Sequence, residues 1–476
     1  MFMLKSIRGN ARKGGLTMKN SRARVIIPVC AVCCAVLLGV GVWKSGLLRK
    51  DSGTNNTGDK TGQTTVAPTG QDNSQATPTV TTAVNATPTA APPKLEGSKE
   101  LTAGASEAPA MTKEMDDAMR AAYETFTYKL FAQLPEGKTR MISPFSIYVA
   151  LSMLSDGADG ETLAQLDELL GLTAEERHAY LAAWIEELTT AGVDGTTTFT
   201  NADSLWIKDG LESVVSKDFL DICAQYYRAT VYSTPMDDSS VRDINAWVKA
   251  KTSNMIEKHI DELDESVTMI LMNAIALDAS WEEEFEKTKT QKDYTFTKED
   301  GTTVKVDMMF GYLSDGYLEN DLATGFFKGY KGNEFSYVAL LPKEGVSLEQ
   351  LIASLAPSSI RELIDNELGI GVNIGIPKYE KEYTIELCDV LKELGVADAF
   401  EGNADFTRLM SGIFVGEVLH KTYISVDEKG TKAAAVSEVG MWKGGTEEYT
   451  LTLDRPFVYM IIDSDRLPVF IGTYEG

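Results

Sequence analysis

Sixty consecutive residues without an aromatic side chain, Asp51–Ala110, set the tightest limit on what this chain folds into. Thr, Ser, Asn, Pro, Gly and Ala dominate them, and such a stretch buries too little apolar surface to offset its ordering entropy. It reads as a tether, with packed sequence beginning near Met111. Ahead of it runs an almost unbroken apolar stretch, Val25–Trp43, preceded by Lys5, Arg8, Arg12, Lys13, Lys19, Arg22 and Arg24. That run is about as long as one bilayer crossing takes, and its basic flank stays cytoplasmic. A cleaved signal peptide, with secretion, is the competing reading. The run is long for a signal region and no clean small-x-small site follows, so an uncleaved anchor is expected. The layout is then a basic cytoplasmic segment at 1–24, a transmembrane signal anchor at 25–43, a disordered linker at 44–110 and a folded body at 111–476 on the extracellular face. The linker is either a plain spacer or an O-glycosylated stalk.

Composition narrows the body's class. Hydrophobic residues make up 43% and charged residues 24%, the balance of a globular protein. Net charge is −25, although the first fifty residues hold ten Lys and Arg and no Asp or Glu. So acidic a body lacks the clustered cations that phosphate binding needs, which excludes a nucleic-acid partner. Of five cysteines, Cys30, Cys33 and Cys34 lie in the apolar run. Cys223 and Cys388 are left as two buried thiols or one bridge, the thiols being the simpler reading.

Ala122, Tyr123, Phe126, Leu130 and Phe131 recur at helical spacing, and Ile147, Leu151 and Leu154 do so after the start signal Ser143-Pro144. Later segments alternate and are rich in β-branched and aromatic residues: 302–309, 335–341, 372–376, 413–426, 449–453 and 457–462. Helices mixed with long strands, without regular βαβ alternation, indicate an α+β body on large mixed sheets.

Enzyme chemistry finds no constellation. His178, His259 and His420 are not at metal-ligand spacing, and the chain has no HExxH or GxSxG motif. Gly369, Gly371 and Gly375 have the wrong spacing for a dinucleotide loop. The acidic run Glu282–Glu286 reads as a solvated face. The expectation is a non-enzyme without cofactor or metal.

The segment Val426–Gly445 is written in two ways at once. Thr431, Ala433, Ala435, Ser437, Val439 and Met441 are small or apolar at alternate positions, the period of a half-buried strand. Gly430 introduces it, while Gly440, Gly444 and Gly445 run it out into loop. Two readings stand: an ordinary edge strand with a glycine-rich turn, or a strand that forms only in a second state.

This segment, with Glu428, Gly430, Thr431 and the alanine run in order, resembles the hinge and reactive-centre loop of the serpin family. Further motifs follow in the family's order from about residue 112 to the end. They include Ser143-Pro144-Phe145-Ser146-Ile147, Asn201–Trp206, Ile244–Val248, Met272-Asn273-Ala274 leading to Trp281, Ile376-Pro377-Lys378-Tyr379, Val418–Lys421 and Arg455-Pro456-Phe457. The resemblance implies the serpin fold: a large mixed central sheet, helices around it, smaller sheets and an exposed loop. It also implies a monomeric suicide inhibitor of serine, or sometimes cysteine, proteases. The target attacks the loop, an acyl-enzyme forms, and the cut loop inserts into the central sheet. The alternative within the family is a non-inhibitory binding or adhesion protein.

Site roles follow from the same resemblance. The hinge is Glu428, Gly430, Thr431, Ala433, Ala434, Ala435 and Ser437, with Thr431, Ala433, Ala435 and Ser437 facing inward and Lys432, Val436 and Glu438 outward. Ser143, Ser146, Asn273 and His420 form the shutter, the polar cluster where strands part, and Trp281 marks the breach, where insertion begins. His178 and His259 match no family site and read as helix-surface residues. The family's spacing puts the reactive bond at Gly444 or Gly445. Lys443-Gly444 is the expected cut, within a window of Met441, Trp442, Gly445 and Thr446. Lys443 suits a trypsin-like protease, and Met441 or Trp442 a chymotrypsin-like one.

Overall fold

In a computed structural model, the described residues are 94–105, 113–136, 139–190, 197–256, 260–263, 267–431 and 449–476. The apolar run at 25–43 and the loop residues Lys432–Glu448 lie outside them. Among the described residues, no helix is long and apolar enough to cross a membrane.

Three sheets organise the body. The seven-stranded sheet contains β1 (Lys99–Glu100), β3 (Thr197–Lys208), β4 (Thr230–Thr234), β5 (Met269–Ser280), β12 (Tyr379–Glu386), β13 (Glu417–Val426) and β14 (Gly430–Thr431), in the order β1-β4-β3-β5-β14-β13-β12. A six-stranded sheet takes β2 (Met141–Ile142), β8 (Tyr317–Glu319), β9 (Ala323–Gly329), β10 (Phe335–Pro342), β16 (Phe457–Asp463) and β17 (Pro468–Tyr474). The third has β6 (Thr290–Thr297), β7 (Thr303–Leu313), β11 (Val372–Pro377) and β15 (Tyr449–Thr452). Around them pack α1 (Asp117–Gln133), α2 (Pro144–Gly157), α3 (Gly160–Leu170), α4 (Ala174–Thr190), α5 (Lys217–Tyr227), α6 (Asp238–Lys251), α7 (Leu348–Ser354), α8 (Ser359–Asp365) and α9 (Cys388–Glu393).

The period-2 rule explains how the large sheet sits. Along β5, Leu271, Ile275, Leu277 and Ala279 join the main core, while Ile270, Met272 and Ala274 join a second cluster with Trp206, Ile244, Trp247 and Val248. The sheet is thus covered on both faces, with α6 over one and α2 under the other. The α2 helix starts where the sequence signalled. Ser143 caps it by accepting the Ser146 N–H at 3.2 Å, Pro144 takes the first turn, and every residue of the helix is buried.

Three expectations change. The linker does not run unbroken to Ala110, because Lys94–Ala105 lies on the body: β1 pairs antiparallel with β4 at the sheet edge. The N–H groups of Glu96, Gly97 and Ser98 donate to the Asp243 carboxylate at 2.6, 2.9 and 2.8 Å. Main-chain bonds and the packing of Leu95 and Leu101 hold this segment without an aromatic side chain. His178 is no plain surface residue, being half-buried, stacked on Tyr226 and 2.7 Å from the buried Asp156 carboxylate. The Glu282–Glu286 run is only partly solvated: Glu282 and Glu283 are exposed, whereas Glu284 reaches Lys331 at 3.1 Å. His259 lies outside the described residues. Cys223 and Cys388 are both buried and unpaired.

Candidate functional site

The large sheet has a seam between β5 and β13. Low in the seam the two strands pair in parallel, Glu417–Lys421 against Ile270–Ala274. At the top the two residues of β14 wedge between them, Gly430 opposite Ser280, and Thr431 opposite Ala279 on one side and Val426 on the other. Gly430 is required there, since a Cβ would stand 2.0 Å from the Ala279 carbonyl oxygen.

Side chains pin this wedge. Thr431 is buried, with its hydroxyl 2.6 Å from the Tyr330 hydroxyl. Tyr330 stacks on Trp281 at 4.5 Å, and the Trp281 indole N–H donates to the Asp427 carbonyl at 2.9 Å. Glu428 accepts from Lys378 at 2.7 Å and from Thr290 at 2.9 Å. Burial opposes the Glu428 charge, but the Lys378 ammonium and the Thr290 hydroxyl outweigh it and hold the carboxyl below its ordinary value. Lys328 lies buried with its ammonium 5.5 Å from the Trp281 ring and 5.2 Å from that of Phe285, and burial lowers its pKa to about 8.

Lower down, Ser143, Ser146, Asn273 and His420 come together although they are far apart in sequence. The Ser143 N–H donates to His420 Nε2 at 3.0 Å, its hydroxyl to the Val469 carbonyl at 2.7 Å, and the Ser146 hydroxyl to Asn273 Oδ1. Asn273 Nδ2 donates to the Ser146 carbonyl at 3.3 Å and to Asp203 at 2.7 Å. All four residues are buried, and His420 stands across the seam from Asn273. Glu428, Gly430, Thr431 and Trp281 meet at the top of the same seam. Ala433, Ala434, Ala435, Ser437 and the reactive-bond window 441–446 lie outside the described residues.

Four partners carried no role in the sequence reading: Asp203, Tyr330, Lys328 and Lys378. Asp203 lies in a polar part of β3 and Lys378 between β11 and β12, so neither stood out from its neighbours in the sequence.

The arrangement fits what the chain is similar to. A family model described as Serpin (serine protease inhibitor) matches residues 121–475. An uncharacterized serpin-like protein of Methanosarcina mazei is 30% identical over 376 residues, spanning 75% of this chain and 86% of its own. The crystal structure of Tengpin, a thermophilic serpin, in its native state matches with a TM-score of 0.75 and 37% identity, over 80% of this chain and 100% of that one. Thyroxine-binding globulin complexed with thyroxine matches at 0.68 and 26% identity, over 75% and 99%. With the family model spanning almost the whole body and the α+β architecture shared end to end, the chain belongs to the serpin family.

Proposed function

We propose that the chain is a single-use inhibitor of serine proteases that traps the acyl-enzyme by drawing its cut loop into the β5–β13 seam. The observation that carries this reading is the register of β14. Continued downward, it sets Ala433 between Leu277 and Ile424, Ala435 between Ile275 and Thr422, and Ser437 between Asn273 and His420. Every residue on the inward set is small, so the strand enters without repacking the α2 side. Ser437 arrives as a hydroxyl at the row where the seam's own polar groups lose partners.

In the proposed reaction the protease serine attacks the Lys443 carbonyl and forms an ester, and the Gly444 amine leaves. Insertion must then outrun hydrolysis, and proteases turn over at roughly 1–10³ s⁻¹, so the window is about milliseconds to a second. Lys443 favours a trypsin-like target. The apolar run at 25–43 would hold the inhibitor on the outer face of the membrane through one span, with the linker as stalk. The test is to incubate the full chain with trypsin-like and chymotrypsin-like proteases. A complex that survives boiling in detergent, and a released peptide beginning at Gly444, are expected. Cleavage without a complex overturns the proposal.

The match to thyroxine-binding globulin favours a second reading, a serpin that binds rather than inhibits. The two part on one measurement. A nicked chain that melts far above the intact one supports insertion, and equal melting temperatures favour the binder.

A further inference from the structure

The seam's polar row extends beyond the shutter to a carboxyl group. Asp203 on β3 stands directly across from Asn273 on β5, which stands across from His420 on β13, so the three share one face of the sheet. Asp203 is 2% exposed. Its two oxygens accept from Asn273 Nδ2 and Asn201 Nδ2, each at 2.7 Å, and no salt bridge reaches it among the described residues. A carboxylate served by amides alone, away from water, costs far more than the neutral acid. Burial accordingly moves its pKa up to about 7, against the two amide bonds.

The site also provides for the neutral form. Asn201 Oδ1 is buried without a hydrogen-bond partner. Turning that amide over presents an acceptor to an Asp203 O–H, and the two amide orientations occupy the same space. The carboxyl can thus be hydrogen-bonded by Asn201 in either protonation state, the two differing by a proton and an amide flip.

We propose that Asp203 is a proton switch on the seam: the neutral acid keeps β5 and β13 closed, and the ionised carboxylate lowers the barrier to parting them. Opening the row admits water, which stabilises a carboxylate strongly and a neutral acid little. Three further ionisable groups lie around this region. The Cys223 thiol on α5 is pushed well up by burial and by the neighbouring Asp156 and Asp203 charges, so it stays neutral. Asp156 at the end of α2 is held by Tyr227 and His178. His420 accepts the Ser143 N–H through Nε2, a bond that only the neutral ring can accept.

The test needs no protease and is separate from the inhibitory reading. The full chain is warmed between pH 6 and 8, and loss of the closed form is followed by native gel and Trp fluorescence. With half-ionisation near pH 7, the ionised fraction and hence the opening rate rise about tenfold over this range. Asp203→Asn flattens the profile, while Asp463→Asn, at a second buried acid pushed up to about 7, keeps it. Equal slopes in wild type and Asp203→Asn, or a steeper rise with pH in Asp203→Asn, overturn the switch. If Asp203→Asn does not fold, the infrared band of a buried protonated carboxyl in Asp463→Asn decides. Its loss between pH 6 and 8 is expected, and no titrating band overturns the proposal.

Discussion

Replacing Thr431 by Arg tests the seam where it is already wedged open. Thr431 is 2% exposed, lies between Ala279 and Val426, and bonds Tyr330 through its hydroxyl. An arginine there either buries a cation without a carboxylate or leaves the sheet. An uncompensated buried charge costs about 3–5 kcal/mol, whereas the few ladder bonds lost when β14 withdraws are worth about 1 kcal/mol each. The nearby Trp281 and Tyr330 faces return at most about 2 kcal/mol. The hinge therefore leaves, and the same penalty stands in the way of every later insertion. A barrier raised by about 3 kcal/mol slows insertion by roughly two orders of magnitude. An inhibitor whose insertion wins by less than that becomes a substrate. Titrating residual protease activity against added chain measures the outcome: the number of molecules consumed per protease rises severalfold or more, and nicked chain accumulates without a detergent-stable complex. Thr431→Val, which removes the hydroxyl but adds no charge, should retain trapping. Unchanged stoichiometry in Thr431→Arg would refute both the inward assignment of the hinge and the insertion argument built on it.

Other perturbations give separate readings. Lys328→Met removes an ammonium that burial disfavours, with its pKa lowered to about 8, so a gain of about 1–3 kcal/mol at pH 7 is expected in urea unfolding, shrinking as pH rises through 8. Glu428→Gln keeps a neutral partner for Thr290 but drops the charge facing Lys378, and should loosen the wedge, seen as severalfold faster spontaneous loss of the closed form on warming. Asp203 and Asp463 both have pKa values raised to about 7, so the native state binds more protons than the unfolded chain between roughly pH 4 and 7. Their contribution therefore falls as pH rises through that window, and urea unfolding should show lower stability at pH 8 than at pH 5. Glu428, Asp243 and Asp237 are shifted the other way, and their contribution is lost as pH falls below about 4.

Strands and helices were legible where side-chain periodicity writes them. The alternation at 335–341 and 372–376 corresponds to Phe335–Pro342 and Val372–Pro377, and Ser143-Pro144 marks the start of α2. The lower part of 413–426 was overread, because Ile413 and Val415 are buried as loop residues before β13 begins at Glu417. What holds Lys94–Ala105 left little trace in composition, since a carboxylate on α6 collects three backbone N–H groups and only two leucines, Leu95 and Leu101, pack against the cores. The four shutter residues were found by resemblance alone. Hydrogen-bond partners separated by tens to hundreds of residues have no periodicity to betray them, and Asp203, bonded to Asn273, shows why this matters. In the sequence it is one polar residue in an alternating strand, and only the row across β3, β5 and β13 makes it a buried acid beside the seam.

The seam itself supplies the argument for why such a chain would be poised to move. Among the described residues, no ladder pair joins Ile275–Asp278 of β5 to Thr422–Ser425 of β13, although both strands continue through those positions. Two long strands meet over five residue pairs below and are held apart by two residues above. A strand entering from the top would gain ladder bonds on both flanks over the unpaired stretch before it broke the first pair below, at Ala274 and Lys421. Each bond is worth about 1 kcal/mol net, so the first steps run downhill and resistance begins only near the row of Asn273 and His420. The barrier therefore sits at the polar cluster rather than at the entrance. A group that changes charge in that row, as proposed for Asp203, acts at the step with most control over the rate.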